Sequence, residues 1–559
     1  MTLNTQFTQD CIALAANNYI ALYTPEQVYA IEKSWFDQGN MSYALMQQAA
    51  WQIAHWIIHN ITAKRFKKLD DKGLLQVSEA CDLTVCVWVG SGNNGGDGWL
   101  VAYYLSKLVA KVTVIEVAQA STADAKMAKE QALQGDIAVY QFSNKAVSKI
   151  NGDNAIAQAD LYVDAIFGIG LDREPTNEYA QAIATINNHQ RLYSDRLKVL
   201  SIDVPSGLVS RTGQVFNRSA VKADITLCLV ARKLGLHIKD AADYCGQIID
   251  LSLIPSVLNI PPVAWLQSHA KPLVERENNT HKGSFGHALI IGGNQIDGSQ
   301  GMGGAALLSA STAFATGVGK LTVACHKAFH SSLIGYVPNA MSLDLHSIEA
   351  VKDLISQCDA IAIGMGLGRD ELSLNLFEPY LQQALQQNKD LIIDADGLYH
   401  LATLNKKSPE IVKQLANHAE RHEVWYTPHS GEAARLLNKK VSEVEDDRYK
   451  ALSELQHKYQ GSWLLKGAGS MVMTAQASYV CAAGNAGMAT AGMGDVLSGL
   501  CVGLLAQSSL SKEVRSLTQA VMLHAMAGDK LQSIKGTWAL QANDMAQMVG
   551  EVFKDLTID

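Results

Sequence analysis

The stretch from Gly484 to Gly499 combines a glycine-rich turn with one acidic side chain at the start of an apolar helical run. Glycines let the backbone approach an anion closely, and the N–H groups that open a helix carry partial positive charge. Asp495 follows Gly492 and Gly494, so its carboxylate could accept a proton while the amides stabilise developing negative charge. The plainer alternative is a packing turn in which Asp495 only starts the helix. Because the glycines and the carboxylate coincide, we interpret the turn as an anion hole with a general base.

A second glycine-rich loop, Gly90 to Gly98, directly follows an apolar run in the first half. The run, Leu83 to Val89, contains β-branched residues and is predicted to be a buried parallel strand. A helical pattern over 99–110 and a strand-like run over 112–117 complete a β-α-β unit. The loop therefore lies where such units bind their ligands.

The loop at 90–98 allows two interpretations. Its glycines match the dinucleotide-binding fingerprint at Gly90, Gly92 and Gly95, and Glu116 could then bind a ribose. The loop is, however, more polar than a pyrophosphate turn requires, since it also contains Asn93, Asn94 and Asp97. Side-chain oxygens at these positions favour a bound cation or a direct substrate contact.

Two later strand-like runs also end in polar residues. One run places Asp164 near its end, and the next places Asp203 and Ser206 there. In open parallel sheets, ligands bind beyond the carboxyl ends of the strands. Each of these residues alone is more often a turn or cap residue, but together with Asn94 they indicate a site at one edge of the sheet.

The second half repeats the alternation of strand-like and helical segments, which predicts a second α/β domain. A strand over Ala288–Ile291, a glycine-rich loop over Gly292–Gly304 and a helix over Ala305–Thr316 open it. Further strands are predicted at Leu321–Ala324, Ala360–Ile363, Leu391–Ile393, Val424–Tyr426, Trp463–Leu465 and Met471–Met473. No Gly-x-x-x-x-Gly-Lys-Ser/Thr motif occurs, which argues against a P-loop NTPase.

The whole-chain composition is that of a globular enzyme. Its 559 residues predict two domains, and the net charge of −8 argues against a nucleic-acid partner. Nine dispersed cysteines without a Cys-x-x-Cys motif fit buried thiols in a reducing compartment better than disulfides or a zinc site. The sequence shows no signal-peptide pattern and no apolar run of about 20 residues, so a cytoplasmic protein without a membrane partner is expected.

Three motifs of the first half resemble, in order and spacing, the NAD(P)HX epimerase family, which interconverts the R and S epimers of hydrated NADH and NADPH. They are Asn93–Asp97, Val163–Gly168 and Asp203–Gly207. The resemblance implies a Rossmann-like domain with a potassium ion bound by Asn94, Asp164 and Ser206, and a catalytic role for Asp203. It also implies substrate contacts from Asn93, Asn94, Gly95, Gly96, Asp97, Gly168, Ile169, Gly170, Leu171, Asp172, Arg173, Glu174 and Asp203.

The motifs of the second half resemble the ADP- or ATP-dependent NAD(P)HX dehydratases, which have a ribokinase-like fold. They are Gly303–Ala306, Gly364–Gly368, Thr427–Glu432, Lys466–Ser470 and Gly487–Asp495. The resemblance implies contacts to the hydrate from Ala305, Gly366, His429 and Asp495, with Asp495 catalytic. It implies nucleotide contacts from Lys466, Gly467, Ala468, Gly469, Ser470 and Gly494, with Mg²⁺ on the nucleotide phosphates. Met493 stands where the family usually has Thr, so the anion hole must rest on backbone amides.

The chain as a whole thus resembles the bifunctional NAD(P)H-hydrate repair enzymes. We expect an extension over 1–23, a Rossmann-like epimerase domain over 24–260, a loosely structured linker over 261–280 and a dehydratase domain over 281–559. We also expect a homo-oligomer that binds NADHX or NADPHX and either ADP or ATP. The alternatives are a ribokinase-like small-molecule kinase with a fused nucleotide-binding domain, a non-catalytic nucleotide-binding regulator and a plain dehydrogenase.

Overall fold

The chain forms two compact units in a computed structural model, Met1–Ala264 and Trp265–Asp559. The structure describes residues 19–62, 81–142, 159–255, 260–295 and 301–558. Most of the expected extension over 1–23 therefore lies outside the described residues. Within its described part, Ile20–Leu22 form a short strand and Tyr23 is buried.

The first unit contains eight strands and five α-helices in its described residues. The strands are β1 Ile20–Leu22, β2 Cys81–Val89, β3 Val109–Glu116, β4 Ala138–Gln141, β5 Leu161–Ala165, β6 Lys198–Ile202, β7 Ile225–Leu229 and β8 Gln247–Leu251. The helices are α1 Pro25–Phe36, α2 Ser42–Ile57, α3 Asn93–Leu105, α4 Ala123–Ala132 and α5 Asn177–Leu192.

Seven of these strands form one parallel sheet in the order β4-β3-β2-β5-β6-β7-β8. The strand order reverses between β2 and β5, as it does in doubly wound dinucleotide-binding folds. This topology confirms the predicted Rossmann-like domain. It also fixes the ligand crevice at the carboxyl ends of β2 and β5, because ligands bind at such a reversal point.

Strand β2 shows why this sheet is buried on both faces. Val85, Val87 and Val89 pack into a core with α2 and α3, whereas Cys86 and Trp88 pack into a second core on the opposite face. Successive side chains of a strand alternate between the two faces, so a continuous apolar run satisfies both cores at once.

Helix α3 begins six residues earlier than the predicted start at Trp99. Gly92 is the N-cap, and the polar loop residues from Asn93 onward form the first turns of the helix. Glycine usually disfavours a helix, but close packing requires glycine at position 95. A Cβ at Gly95 would lie 2.1 Å from the carbonyl oxygen of Gly90. Tertiary packing thus overrides the low helix propensity of this segment.

The second unit continues with strands β9 to β20 and helices α6 to α17. The strands are β9 Ala264–Gln267, β10 Leu273–Val274, β11 His287–Ile291, β12 Lys320–Cys325, β13 Met341–Asp344, β14 Ala360–Ile363, β15 Asp390–Ile393, β16 Val424–Tyr426, β17 Ser462–Leu465, β18 Met471–Met473, β19 Ser478–Cys481 and β20 Thr557–Ile558. The helices are α6 Gly303–Ala315, α7 His330–Tyr336, α8 Ile348–Gln357, α9 Glu371–Gln386, α10 Asp396–Lys407, α11 Pro409–Ala419, α12 Ser430–Leu437, α13 Val441–Asp446, α14 Arg448–Tyr459, α15 Met493–Leu505, α16 Leu517–Lys535 and α17 Met545–Leu556.

The main sheet of the second unit runs in the order β9-β19-β18-β17-β16-β15-β14-β11-β12-β13. Its pairs are parallel from β17 to β13, and β18 pairs antiparallel with both of its neighbours. Helix α15 packs on this sheet through Val496, Leu500 and Leu504, which are fully buried. The predicted second α/β domain is confirmed.

The expectation of a loosely structured linker over 261–280 is wrong at Ala264–Gln267. These four residues are buried and form β9, which pairs in parallel with β19 through Trp265, Leu266 and Gln267. The flanking prolines and the shortness of the apolar run concealed the strand. Its partner Ser478–Cys481 was not predicted either, because both strands depend on pairing between distant segments.

Candidate active sites

The crevice of the first unit is a cavity of about 600 Å³ at the carboxyl ends of its parallel strands. The loop 168–174 lines it with every residue from Gly168 to Glu174. Further polar residues on its walls are Asn93, Asn94, Asp97, Asp203, Glu32 and Lys233. The structure thus brings together most of the substrate-binding residues predicted for this domain.

Gly95 and Gly96 are exceptions, since neither lines the cavity. Gly95 lies against the backbone of Gly90, and a Cβ at Gly96 would lie 2.8 Å from the side chain of Met46. Their position in α3 allows the helix to pack closely, which in turn places Asn94 and Asp97 at the cavity.

Asn94, Asp164 and Ser206 are connected through Phe167 by hydrogen bonds. Asn94 Nδ2 donates a hydrogen bond to Phe167 O at 2.9 Å, and the amide of Phe167 donates to Ser206 Oγ at 2.8 Å. Ser206 donates to Asp164 from Oγ at 2.6 Å and from its amide at 2.8 Å, and Ser201 Oγ adds a third donor at 2.8 Å. The predicted triad is therefore one connected group of oxygen-bearing residues.

The chemistry of this group fits a hard cation. The atoms that could bind a cation are amide, carboxylate, hydroxyl and carbonyl oxygens, without thiolate or imidazole. Asp164 is fully buried, burial raises its pKa, and no basic side chain pairs with it in the described part of the chain. A bound cation would compensate this buried carboxylate. Among the described residues there is no group of three or more His, Cys, Asp or Glu side chains that could hold a metal ion.

Asp203 directly follows β6 in a left-handed conformation, with φ of 69°. Its amide donates to Leu227 O at 2.8 Å, and its Oδ1 accepts from the amide of Leu229 at 3.1 Å. Lys233 Nζ forms an ion pair with the same oxygen and also donates to Leu229 O at 2.8 Å. Strand β7 therefore fixes the direction in which the Asp203 carboxylate faces the cavity.

Sequence reasoning missed Lys233 and Glu32. Lys233 is only 1% exposed, and its proximity to Asp203 raises its pKa against the effect of burial. Burial and the charge of Asp203 raise the pKa of Glu32 to about 7. Neither residue belongs to a recognisable motif. Lys233 reaches the cavity because it follows β7, and Glu32 reaches it through the packing of α1.

The alternative in which Glu116 binds a ribose is wrong. Its side chain is fully buried and accepts a hydrogen bond from Lys129 Nζ at 2.5 Å, and Gln141 binds its other oxygen. The carboxylate at the end of β3 is therefore an ion-paired core residue and does not line the cavity.

In the second unit, Lys466 is the centre of the polar cluster. Its ammonium pairs with Asp394 Oδ1 at 2.8 Å, and Ser498 Oγ donates to the other carboxylate oxygen at 2.6 Å. A Cβ at Gly494 would lie 3.2 Å from Lys466 Nζ. The cluster therefore lies directly against the first turn of α15, which carries Asp495.

Gly492 is the N-cap of α15, with φ of 90°, a conformation that favours glycine. The first intrahelical hydrogen bond runs from the Val496 amide to Gly492 O at 3.0 Å. The preceding amides of the first turn lack intrahelical acceptors and are available to an anion. Met493 points into the core, where it is 6% exposed, so the turn presents backbone amides rather than a hydroxyl group.

Asp495 has the electrostatic character of an acid–base group. Burial and the nearby charge of Asp394 raise its pKa to about 7, although Lys466 opposes the shift. A group with a pKa near the working pH is the most effective proton acceptor or donor.

The segment Lys466–Ser470 forms a tight loop after β17. Ser470 Oγ donates to Gly467 O at 2.9 Å, and two glycines have positive φ. Buried Arg448, which is 4% exposed, donates to Leu465 O and Lys466 O at 3.1 Å and to Ala468 O at 3.5 Å. Arg448 was missed by sequence reasoning, and it binds three backbone carbonyl groups in or next to this segment.

The predicted hydrate-binding residues Ala305 and Asp495 lie in the first turns of α6 and α15, His429 is the N-cap of α12, and Gly366 lies in the loop after β14. Ala305 lies next to Gly366, since a Cβ at Gly366 would be 3.2 Å from the Cβ of Ala305. His429 caps α12 by accepting from the Gly431 amide at 2.9 Å, and it lines a smaller cavity of about 180 Å³. Burial and the charge of Lys466 lower the pKa of His429, so its imidazole is neutral at physiological pH.

Comparison with known proteins covers both units. Residues 289–550 match the family described as NAD(P)H-hydrate dehydratase, and residues 42–235 match the family described as YjeF-related protein N-terminus. No helix in the described ranges is both long and apolar enough to cross a membrane.

Relatives of full length are also similar to this chain. A bifunctional NAD(P)H-hydrate repair enzyme of Coxiella burnetii is 34% identical over 532 residues, which are 94% of this chain and 97% of the relative. That of Escherichia coli K12 is 32% identical and covers 82% of this chain and 83% of the relative. A solved ribokinase-like superfamily protein of Enterococcus faecalis V583 is 26% identical with a TM-score of 0.43, covering 51% of this chain and 93% of that protein. The chain belongs to the family of bifunctional NAD(P)H-hydrate repair enzymes.

Proposed function

We propose that this chain repairs hydrated NADH and NADPH in two steps. The first unit epimerises R and S NAD(P)HX, and the second unit dehydrates the S epimer to NAD(P)H at the expense of ADP or ATP, with release of phosphate. The observation that carries this proposal is the placement of Asp495, with a pKa of about 7, at a helix N-terminus beside Lys466.

Dehydration is difficult because hydroxide is a poor leaving group. In our proposal, Asp495 removes the proton of the ring hydroxyl, whose oxygen then attacks the terminal phosphoryl group of the nucleotide. The bond between that phosphorus and the nucleotide breaks, which leaves a phosphate ester on the ring. The lone pair of the ring nitrogen expels phosphate, and loss of a proton from the adjacent ring carbon restores the dihydropyridine.

The transferring phosphoryl group is negatively charged and needs positive partners. The amides that open α15 and the ammonium of Lys466 supply them, because both are fixed before the reaction begins. The loop Lys466–Ser470 and Gly494 are proposed to contact the nucleotide, whereas Ala305, Gly366 and His429 contact the hydrate. The nucleotide would carry its own Mg²⁺ on the phosphate oxygens, since Asp394 is already paired with Lys466.

For the first unit, we propose that the cavity of about 600 Å³ holds the hydrate. The polar face of α3, loop 168–174 and Asp203 would contact the substrate. Asn94, Asp164 and Ser206 would hold a potassium ion, which supplies a fixed positive charge beside the buried carboxylate. The dehydratase accepts one epimer, so an epimerase in the same chain allows complete repair. We further propose that the protein is cytoplasmic.

The experiment that tests this function separates the two activities. Purified R and S epimers are incubated with the full chain, without nucleotide for epimerisation and with ADP or ATP for dehydration, and the products are quantified by chromatography. Asp203→Asn should lose epimerisation and retain dehydration of the S epimer, whereas Asp495→Asn should do the opposite. A variant that loses both activities while folded, or neither, would contradict the assignment.

A further inference from the structure

The cavity of the first unit holds more ionisable groups than the proposed substrate contacts require. Five carboxyl groups and two basic groups line it, from Glu32, Asp97, Asp172, Glu174, Asp203, Arg173 and Lys233. Asp97, Asp203 and the three charged residues of loop 168–174 already have proposed substrate contacts. Glu32 and Lys233 have none, although both lie on the wall of the same cavity.

Glu32 lies on the face of helix α1 that lines the cavity, beside apolar residues of the same face. Its N-terminus is fixed by a capping box between Thr24 and Gln27 and by Pro25 in the first turn. Residues spaced three and four apart lie on one face of a helix, and Val28 and Phe36 flank Glu32 in this way on the cavity wall. Glu32 is therefore held by a rigid element rather than by a loop.

Lys233 is the ion-pair partner of Asp203 in this cavity. Its ammonium pairs with Asp203 and donates to Leu229 O at 2.8 Å, and the adjacent Leu234 amide donates to Tyr23 O at 2.9 Å. Lys233 is thus a positioning residue for Asp203.

The carboxyl group of Glu32, unlike that of Asp203, has no basic partner in the described residues. No ion pair or hydrogen bond of its carboxyl group is present within the described residues, and the negative charge of Asp203 raises its pKa to about 7 together with burial. The groups that face it are Asp203 and Lys233 from the strand ends, Asp97 from α3 and Tyr29 from its own helix. A carboxyl group with a raised pKa that shares a cavity with an ion-paired carboxylate is suited to act as its acid partner.

We propose that Glu32 is a further catalytic residue of the epimerase, acting as the acid partner of the Asp203 carboxylate; this rests on the epimerase activity proposed above. Glu32 donates its proton to the ring hydroxyl, and the carbon–oxygen bond breaks to release water as the nitrogen lone pair forms an iminium ion. A water molecule then adds to the opposite face of that carbon and gives its proton to Asp203. Solvent returns the proton from Asp203 to Glu32, so no other reactant is consumed.

The test is the pH dependence of epimerisation in the full chain with potassium present, measured by chromatography of the two epimers without nucleotide. The wild type should lose rate above about pH 7, because Glu32 must be protonated to act as the acid. Glu32→Gln should lower kcat by about 10²- to 10⁴-fold and abolish this fall, with a smaller change in KM. Glu32→Asp should recover part of the rate and keep a fall with pH.

Glu26→Gln is the matched control, since Glu26 lies on the same helix but is exposed and pairs with Arg211 at 2.7 Å. It should leave the rate and the pH profile unchanged. A folded Glu32→Gln variant with a rate and pH profile like the wild type would overturn the proposal. A wild-type protein that does not accelerate epimerisation would instead refute the proposed function, so the two failures are distinguishable.

Discussion

Replacement of Asp495 by Asn should inactivate the dehydratase and at the same time stabilise the second unit. Asn has nearly the size of Asp and is as good near a helix start, but it cannot accept a proton at neutral pH. Loss of a general base typically costs about 10²- to 10⁴-fold in rate. We therefore expect that loss in the dehydration rate, with a much smaller change in nucleotide affinity, because Lys466 and the amides of α15 remain.

The stability gain follows from the raised pKa of Asp495. A carboxyl group with a pKa of about 7 in the folded chain and about 3.9 in the unfolded chain binds its proton more tightly when folded. Stability contributed by the group is therefore lost as the pH rises from about 4 to about 7. About three pKa units at about 1.36 kcal/mol each give a penalty of about 4 kcal/mol above that window. Asn does not ionise, so the Asp495→Asn variant avoids this penalty.

The assay combines rates and thermal unfolding at about pH 5 and about pH 8, on either side of the raised pKa of Asp495. Wild-type dehydration should rise with pH through about 7 as Asp495 ionises. At about 2 °C per kcal/mol for a unit of this size, Asp495→Asn should unfold up to about 8 °C above the wild type at the higher pH and near it at the lower. Asp370→Asn, which changes an N-cap that binds the Ser373 amide, should alter neither property.

Two outcomes would refute this reasoning. Near-normal turnover in Asp495→Asn would remove the carboxylate from the mechanism. A variant that is inactive but equally or less stable than the wild type at the higher pH would show that Asp495 is not a desolvated acid–base group.

Other variants probe the remaining parts of both sites. Asp164→Ala should weaken epimerisation and its response to potassium while sparing dehydration; an unchanged potassium titration would leave Asp164 a strand-end residue only. Lys466→Met should abolish dehydration and destabilise the fold by about 3–5 kcal/mol, because it leaves Asp394 buried without its partner; adding Asp394→Asn should restore the melting temperature but not the activity. Arg448→Met should raise the KM for the nucleotide more than it lowers kcat, since the carbonyl groups of Leu465, Lys466 and Ala468 lose this donor; an unchanged KM would show that the loop keeps its conformation without Arg448.

The sequence predicted those features that depend on neighbouring residues. The strands Ala360–Ile363, Val424–Tyr426 and Met471–Met473 have the predicted bounds because short apolar runs between turn residues determine them. The position of Asp495 at a helix start was also predictable, since the glycines that mark the turn adjoin it in the chain.

Features that depend on distant pairing were not predictable from the pattern. Lys466 and Asp394 form their ion pair across 72 residues, and neither partner identifies the other in the sequence. Glu32 has the appearance of a solvent-facing residue on an amphipathic helix, and only the packing of α1 shows that it lines the cavity. The glycines of α3 led to a predicted helix start that is too late in the chain, because close packing at Gly95 outweighs helix propensity.

The central claim is that one chain converts both epimers of a hydrate to the reduced cofactor. It is tested by following the near-ultraviolet absorbance of NADPH during incubation of an epimer mixture with the full chain and potassium, with and without ADP or ATP. The account predicts complete recovery of NADPH with nucleotide and none without it. In Asp203→Asn, recovery should end when the S epimer initially present has been converted, once spontaneous epimerisation is subtracted. Recovery without nucleotide, or a stop at the S fraction in the wild type, would contradict it.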